Sequence, residues 1–486
     1  MISDVLETFA PARPLVARPR FATRPVAVVA AVAGLLALWS STMRPYQYDE
    51  LYFLASGRHL AWGYADQPPL VPLLAHLAEL VAPDTPVLFR LPAVLLYAAG
   101  VLATGAIARE FGGHRRAQVL AAVAYGGSLW LVQVSHWATT YSLDPHLWTI
   151  VLWLLVRAAG RPAQRRHWGL LVAGLVTLVD MQVKFLVPIV WATALAAALV
   201  VGPRWLVRRP ELWAGLTLAA LACVPTLLWQ SANGWPYAQM QQVVAAESPR
   251  WTLVPVALLG YGVVTGMVMA VHGLCRLLRA PELATWRFLG IGVLGSVACL
   301  FVASGRSYYL AGFTGLLVAA SAVGLEARRP PRWWGWAVSR PALAVSVLGC
   351  MLLLPLGPPG WNPLVALADA ANVQPGVTSG AEAAYAALPP ERRAHTALVA
   401  QNYPLASAVD VYTPYRAYSP HRGYWYFGRP PDGASSVLWV GDDPSRLRPW
   451  FDTVTALPTA SGPPLWLAQG RRADWTTIWA TWRQML

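Results

Sequence analysis

Charged residues are scarce in this sequence of 486 residues. Asp, Glu, Lys and Arg make up 12% of it, about half the usual share for a soluble fold, whereas 56% is hydrophobic. Lysine is nearly absent, because Lys184 is the only lysine among 37 basic residues. The net charge of +14 therefore comes from arginines, which lie mainly in short loops between apolar runs. This placement argues against a water-soluble enzyme and a nucleic-acid partner, and it indicates a membrane protein.

Cysteine is also rare, and no C-x-x-C spacing occurs. The sequence therefore predicts neither a disulfide framework nor a zinc site. The apolar run from about residue 25 to 39 follows an arginine-rich start, and we find no convincing cleavage signal after it. We expect it to be an uncleaved first membrane helix. The four cysteines lie in or at the ends of apolar stretches: Cys223, Cys275, Cys299 and Cys350.

Apolar runs of membrane-crossing length recur through most of the chain. A helix of about 20 apolar residues spans the hydrocarbon core, because backbone groups cannot stay unpaired in lipid. We predict about eleven transmembrane helices within residues 25–357, preceded by a cytoplasmic tail, 1–24. The candidate spans lie near 25–42, 87–108, 117–135, 144–160, 168–184, 185–202, 211–229, 252–274, 286–304, 307–325 and 341–357.

Arginine placement gives the expected orientation. With the N-terminus in the cytoplasm, the predicted inside segments hold 21 basic residues, from Arg13 in the tail to Arg340. Translocating such residues is disfavoured, so this bias supports the assignment. An odd number of spans then places the C-terminus outside. The predicted outside segments hold few basic residues: Arg44, Arg58, Lys184, Arg250 and Arg306, with Arg90 at a boundary.

The region 358–486 has a different pattern, in which Pro, Gly, Asp and Arg interrupt short apolar runs. No run there is long enough to cross a bilayer. We predict a small extracytoplasmic α/β domain, with strands at 396–400, 436–441 and 465–468. Helices are expected at 380–387, 404–410 and 444–452.

Polar residues near the predicted outer membrane edge are candidates for chemistry, because they are costly there unless used or paired. Asp49 and Glu50 follow the first span in the external loop 43–86. They fit a helix cap with a first-turn acid equally well as a general base. Asp66-Gln67 precedes two prolines and fits an ordinary turn, while Asp144 precedes Pro145 and fits a helix start.

A second group contains cations and hydroxyls. Lys184 follows Asp180 by four residues, so a structural ion pair is as plausible as a functional cation. A lipid-linked phosphate at this depth would nevertheless need charge-assisted hydrogen bonds. The candidates for that role are Lys184, Arg306, Tyr308 and Tyr309.

In combination, these segments resemble the GT-C class of polytopic glycosyltransferases. The resemblance is to the family that includes protein O-mannosyltransferases and the bacterial lipid A aminoarabinose transferase, and it covers nearly the whole chain. The motifs that carry it are Asp49-Glu50, 64–70 (YADQPPL), 142–145 (SLDP), 225–230 (PTLLWQ), 233–236 (NGWP), 306–310 (RSYYL), 401–403 (QNY), 408–412 (AVDVY) and 419–425 (SPHRGYW).

The resemblance implies an inverting glycosyltransferase that moves a sugar from a polyprenyl-phosphate donor to a hydroxyl of a cell-envelope acceptor. Asp49 would be the catalytic base, and Asp144 a second catalytic carboxylate that orients acceptor or sugar. Family members carry an acidic-basic pair where this chain has Asp66-Gln67, so the phosphate cation would come from elsewhere. The expected substrate-binding residues are Glu50, Arg58, Tyr64, Asp66, Gln67, Lys184, Arg306, Tyr308 and Tyr309.

Other interpretations stay open at this stage. A divalent cation would be a cofactor if Asp49 and Asp144 converge on it. A transporter or flippase of lipid-linked sugars is the alternative function, although the acidic residues cluster at one face and no related halves are visible. A non-catalytic envelope scaffold is a third. The excess of Arg over Lys and the Ala, Gly and Pro content suggest a GC-rich bacterium, and hence its plasma membrane.

Overall fold

The structure is a computed structural model that describes residues 18–162, 164–358, 360–363, 365, 375–459 and 462–485. The described residues before 358 form a helical body. Residues 375–459 and 462–485 form a C-terminal region that carries a five-stranded sheet. Arg13 and most of the predicted tail 1–24 lie outside the described residues.

The body consists of α-helices that are connected by short 3₁₀ helices, one of which is Ser307–Phe313. The α-helices of the body are α1 Thr23–Ser41, α2 Tyr48–Gly57, α3 Leu70–Val81, α4 Pro86–Glu110, α5 Arg115–Gly126, α6 Leu129–Val134, α7 Thr140–Ala159, α8 Trp168–Met181, α9 Val187–Val201, α10 Pro210–Ala222, α11 Val224–Ala232, α12 Pro236–Glu247, α13 Leu253–Gly260, α14 Thr265–Arg279, α15 Arg287–Val302, α16 Thr314–Ala327, α17 Arg332–Gly335 and α18 Arg340–Met351.

Several of these helices have the length and composition of membrane spans. Five helical segments among the described residues qualify, and α13 with α14 would form a sixth that bends by 107°. Further apolar helices are shorter, among them α3, α8, α9 and α18. The prediction of a polytopic helical membrane protein is confirmed, while the count of about eleven spans stays a prediction. The five segments are Thr23–Ser41, Pro86–Glu110, Pro210–Ala232, Pro281–Val302 and Ser307–Ala327.

Small residues allow the helices of the body to pack closely. A Cβ placed on Gly174 in α8 would lie 2.3 Å from the Cα of Gly215 in α10. Backbones in direct contact are typical of membrane helices, whose association depends on packing because lipid tails are as apolar as the side chains. A larger side chain at either position would therefore separate α8 from α10.

The C-terminal region forms one mixed sheet with the strand order β2-β1-β3-β5-β4. Strand β1 pairs in parallel with β2 and β3, whereas β5 is antiparallel to β3 and to β4. The elements are α19 Ser379–Ala386, α20 Pro390–Ala394, β1 Thr396–Ala400, α21 Tyr403–Tyr412, β2 Ala417–Tyr418, β3 Ser436–Val440, β4 Phe451–Leu457, β5 Leu465–Arg471 and α22 Trp475–Trp482.

The two faces of the sheet have different partners, because successive side chains of a strand point to opposite sides. In β1, Ala397 and Val399 belong to a core with the tryptophans of α22. Leu398 and Ala400 belong to a second core that also contains apolar residues of α2, α3 and α4. The C-terminal region and the helical body therefore share one continuous apolar core at this end of the helices.

The predicted strands agree with β1, β3 and the start of β5, and the predicted helices near 380–387 and 404–410 agree with α19 and α21. The predicted helix at 444–452 is wrong. Residues 445–450 form turns and Phe451 begins β4, which the prediction missed together with α22. Asp452, Thr453 and Thr455 are polar and exposed, so β4 contains no apolar run and its sequence resembled a loop.

Candidate functional site

Asp49 lies in the first turn of α2, at the end of the helical body that meets the C-terminal region. The helix starts with a capping box: the side chain of Gln47 accepts hydrogen bonds from the backbone N–H groups of Asp49 and Glu50, at 2.7 and 3.3 Å. Glu50 in turn accepts one from the backbone of Gln47, at 2.9 Å. This reciprocal cap satisfies donors that a helix start leaves free, and it fixes the direction of both acidic side chains.

Glu50 points into the protein and is fully buried. Its carboxylate accepts two hydrogen bonds from Arg90, at 2.6 and 2.9 Å, and a third from the backbone of Ala138 at 2.8 Å. Arg90 also donates to three backbone carbonyl groups that follow α1 or end it. Removing one partner of such a buried ion pair leaves the other charge buried and unpaired, which is strongly destabilising. The structure thus gives Glu50 a place in the framework that holds α2.

Asp49 points the other way and is partly buried. The hydroxyl of Tyr141 in α7 donates to its Oδ2 at 3.1 Å, and the hydroxyl of Tyr403 in α21 donates to its Oδ1 at 3.0 Å. Desolvation raises the pKa of Asp49 above its usual value, while the two tyrosines and the charges of Arg306 and Arg422 oppose the rise. A carboxylate with a raised pKa is a better proton acceptor, as a general base requires.

Asp66 interacts electrostatically with Asp49. Its Oδ1 accepts a hydrogen bond of 2.9 Å from the hydroxyl of Tyr52, which lies one helical turn after Asp49. Burial raises the pKa of Asp66 to about 6, and the nearby negative charge of Asp49 adds to the effect, whereas Arg422 opposes it. The carboxylates of Asp49 and Asp66 therefore belong to one electrostatic environment.

Lys184 interacts electrostatically with both predicted catalytic carboxylates, Asp49 and Asp144. Its Nζ lies over the rings of Tyr309 and Tyr308, at 4.2 and 4.8 Å from their centroids. It also interacts electrostatically with Asp144 and Asp180. The predicted partner Asp180 is fully buried and also interacts with Asp144. The structure thus places Lys184 near two carboxylates rather than in a simple pair.

Two arginines also lie within electrostatic range of Asp49. Arg306 belongs to the helical body, Arg422 to the C-terminal region, and both bond to the carboxylate of Glu247 at the end of α12. Arg422 makes its bond at 2.5 Å, and its guanidinium lies 5.5 Å from the ring centroid of Tyr403. Both positive charges act on Asp49. A cationic rim from two parts of the chain therefore borders the candidate base.

Three predicted substrate-binding residues have internal partners or a buried position instead. Arg58 forms an ion pair of 2.7 Å with Glu79 and donates to a backbone carbonyl of the C-terminal region. The Tyr64 hydroxyl bonds to nearby backbone groups at the end of α2 and in the same loop. Gln67 is buried, and its Nε2 has no hydrogen-bond partner among the described residues. Their predicted roles toward a substrate stay predictions.

Residues 18–162, 164–358 and the described remainder contain no group of three or more His, Cys, Asp and Glu side chains arranged to hold a metal ion. Tyrosine hydroxyls bond to Asp49, and Lys184 interacts with Asp144. The divalent cation considered from the sequence stays a prediction.

Sequence reasoning missed four residues of the site: Tyr52, Tyr141, Tyr403 and Arg422. Three of them lie in or next to the motifs on which the resemblance rests, at 142–145, 401–403 and 419–425. The motifs were therefore a usable signal for their importance. What the motifs could not show is that positions 354 residues apart in the chain meet at one carboxylate.

Comparison with known proteins agrees with this architecture. Residues 66–229 match the family model described as dolichyl-phosphate-mannose-protein mannosyltransferase. Comparison with curated protein sequences gives no match. The chain resembles ArnT from Cupriavidus metallidurans bound to undecaprenyl phosphate, with a TM-score of 0.64 and 16% identity over 92% of this chain and 98% of that one.

Two further structures are similar. The apo state of the same ArnT gives a TM-score of 0.62 at 15% identity, over 92% of this chain and 98% of that one. The archaeal oligosaccharyltransferase AglB from Archaeoglobus fulgidus, in complex with an inhibitory peptide and a dolichol-phosphate, gives 0.51 at 12% identity, over 85% and 69%. The resemblance predicted from the sequence is thus confirmed: the chain has the fold of the GT-C glycosyltransferases, and its residues 66–229 carry the mannosyltransferase family pattern.

Proposed function

We propose that this protein is an inverting glycosyltransferase that moves a sugar from a polyprenyl-phosphate donor to a hydroxyl group of a cell-envelope acceptor. The observation that carries the proposal is the surroundings of Asp49: one carboxylate, held by two tyrosines, with Lys184, Arg306 and Arg422 around it. A general base and cations for a leaving phosphate are the two requirements of such a transfer.

The donor class is supported by the fold and by the charges. Structural neighbours of the chain hold undecaprenyl phosphate or dolichol-phosphate. In this chain Lys184 and Arg306 supply positive charge for a phosphate, and charged hydrogen bonds are the strongest way to hold one at the membrane edge. A polyprenyl phosphate fits the membrane fold and these positive charges, because it carries a phosphate on an apolar chain.

A cavity of about 470 Å³ offers a place for that apolar chain. It lies between the loop before Asp66 and the start of α3, and its polar member Gln182 is two residues from Lys184. Burying a prenyl chain there would be favourable in proportion to the apolar area covered. The apolar lining consists of Leu60, Ala61, Trp62, Pro69, Leu70 and Leu73.

Transfer would proceed in one displacement at the anomeric carbon. Asp49 accepts the proton of the acceptor hydroxyl as its oxygen forms the new bond to the anomeric carbon. The bond from that carbon to the phosphate oxygen breaks, and the polyprenyl phosphate leaves with the electron pair. The cations beside Asp49 stabilise the charge that develops on the phosphate. Attack from the face opposite the phosphate inverts the configuration.

The other carboxylates would orient substrates. Asp144 lies within electrostatic range of Lys184, so it would fix the lysine and bind sugar hydroxyls together with it. Asp66, whose pKa is raised to about 6 by burial, is partly protonated near that pH and would donate or accept a hydrogen bond. Tyr308 and Tyr309 form the wall on which Lys184 rests.

The orientation in the membrane belongs to the same proposal. The arginine bias places the N-terminus in the cytoplasm and the site on the outer face of a bacterial plasma membrane, with the C-terminal region extracytoplasmic. A lipid-linked donor suits that side, because no nucleotide is then required. Labelling of a cysteine introduced beside Asp49 with a membrane-impermeant reagent in intact cells tests this orientation, and labelling only after permeabilisation would contradict it.

The central experiment compares Asp49→Asn with Asp84→Asn. Asp84 is exposed in the same predicted loop and its positive φ of 60° is a conformation that asparagine tolerates. We expect Asp49→Asn to fold, to bind the donor and to lose transfer, with prenyl-phosphate sugars accumulating in cells as measured by mass spectrometry. Asp84→Asn should transfer normally. Full transfer by folded Asp49→Asn would disprove the assignment of the base.

A further inference from the structure

Glu247 occupies an unusual position in the candidate site. It is the last residue of α12, its side chain is 40% exposed, and its two oxygens bond to two different arginines. Arg306 comes from the helical body and Arg422 from the C-terminal region. The carboxylate of Glu247 thus links two guanidinium groups. Among the described residues, no other acidic side chain forms an ion pair with either of them.

The two arginines are suited to a stronger anion than a carboxylate. Each guanidinium presents donors in a planar fork, a geometry that fits phosphate as well as carboxylate. A phosphate has more oxygens and more negative charge than Glu247, so it can engage both forks and still contact Lys184. Both arginines already act electrostatically on Asp49, so an anion bound by them would lie within electrostatic range of the candidate base.

The side chain of Glu247 can move without displacing its helix. Glu247 is the exposed last residue of α12, and the helix itself is anchored by the buried residues Pro236, Met240 and Val243. A partly exposed ion pair contributes little to stability. Exchanging the carboxylate of Glu247 for a phosphate therefore requires only a new side-chain conformation and no loss of core packing.

We propose that Arg306 and Arg422 together form the binding site for the phosphate group of the donor, and that Glu247 fills this site in its absence. Arg422 is then a substrate-binding residue contributed by the C-terminal region, and Glu247 is an internal competitor that the donor displaces. This inference rests on the proposed function, because it specifies how the phosphate of that donor is held.

A purely structural role for Glu247 makes the opposite prediction. If Glu247 only tied α12 to the two arginines, its loss would loosen a wall of the site and weaken binding. If it competes with the phosphate, its loss frees both guanidinium groups and strengthens binding. The sign of the change in affinity therefore separates the two roles.

The test uses the full chain in lipid nanodiscs, with undecaprenyl phosphate as the probe and undecaprenol as the phosphate-free control. For Glu247→Gln we expect a dissociation constant for undecaprenyl phosphate lower by about threefold to tenfold, with undecaprenol unaffected. Arg422→Gln and Arg306→Gln should each weaken binding of the phosphate. Glu391→Gln makes the same charge change at an exposed position of α20 and should leave binding unchanged.

Each other outcome has a defined meaning. Unchanged or weaker binding by Glu247→Gln overturns the inference, and so does normal binding by Arg422→Gln. If the wild-type chain binds undecaprenyl phosphate no better than undecaprenol, the proposed function falls as well. If Lys184→Gln and Arg306→Gln weaken binding while Glu247→Gln does not strengthen it, only the inference is lost. Thermal unfolding of every variant verifies that the protein is folded.

Discussion

The hydroxyl of Tyr403 gives the sharpest test of how Asp49 works. Tyr403→Phe removes a hydrogen bond of 3.0 Å to Oδ1 and leaves the ring in place against its neighbours. This bond stabilises the carboxylate form, so it lowers the pKa of Asp49 against the larger effect of desolvation, which raises it. Its loss must therefore raise the pKa of Asp49 further.

The size of the effect follows from the charge on the acceptor. A hydrogen bond to a charged group contributes about 1.5–3 kcal/mol, and one pKa unit corresponds to about 1.4 kcal/mol. Asp49 is partly exposed, so water will replace part of the lost bond and the lower value applies. The pKa of Asp49 should therefore rise. A base acts in its ionised form, so the acidic limb of the pH-rate profile should move to higher pH, and about 1.4 kcal/mol corresponds to a tenfold lower rate below the limb.

The assay is the pH dependence of kcat/KM for sugar transfer from a purified prenyl-phosphate donor. Below the limb, Tyr403→Phe should transfer about tenfold more slowly than the wild type, and the difference should shrink on the alkaline side. Tyr141→Phe should shift the limb in the same direction, because that hydroxyl bonds to the other oxygen of Asp49.

Tyr385→Phe is the matched control within the C-terminal region. Its hydroxyl bonds to the backbone carbonyl of Thr396 at 2.8 Å, away from Asp49, so its removal should change stability without moving the limb. A limb that stays in place in Tyr403→Phe, or one that moves equally in Tyr385→Phe, would refute the reasoning. A uniform loss at every pH would mean that the hydroxyl of Tyr403 positions Asp49 without changing its pKa.

Three further predictions concern the framework of the site. Glu50→Gln should destabilise the protein by about 3–5 kcal/mol in thermal or chemical unfolding, because it leaves Arg90 charged and buried; an unchanged midpoint would contradict the structural role. Gly423→Ala should reduce stability and transfer together, since its Cβ would lie 1.8 Å from the hydroxyl oxygen of Tyr52; normal unfolding and activity would mean that the two regions are not in contact there. Burial raises the pKa of Asp410 from 3.8 to about 6, so the folded form binds more protons between these values and stability should fall as pH rises from about 4 to about 6. Asp410→Asn should remove that part of the pH dependence in unfolding experiments, and an unaltered dependence would assign it to other groups.

The parts of the fold that were predictable are those encoded locally. Apolar runs and arginine-rich loops mark the helices of the body, and the continuous apolar runs at β1 and β3 mark buried strands. Strand β4 was missed because Asp452, Thr453 and Thr455 leave no apolar run in its sequence. The span count is not fixed by hydropathy, since helices such as α8 and α9 are shorter than a bilayer requires and α13 and α14 bend sharply.

The sequence was sufficient to predict the acidic residues of the site and some of its basic residues. Asp49, Asp66, Asp144, Lys184 and Arg306 all lie near the helical ends that face the C-terminal region, and sequence reasoning named them. It could not assign Glu50 to the framework, because the buried partner comes from another helix.

The tyrosines that hold Asp49 were beyond sequence reasoning for a related reason. Tyr141 and Tyr403 reach that carboxylate from 92 and 354 residues away. Contacts of this range depend on how whole segments pack, and no local periodicity encodes them.

The alternation of side chains along β1 and β3 makes the assembly sensitive to insertions. One face of these strands meets the tryptophans of α22, and the other meets helices of the body. A single extra residue early in either strand would exchange the two sets, turning Leu398 or Leu438 toward the tryptophans. Such a register shift would move Tyr403 and Arg422 away from Asp49 without replacing any residue, so the length of the chain here is constrained as tightly as its composition.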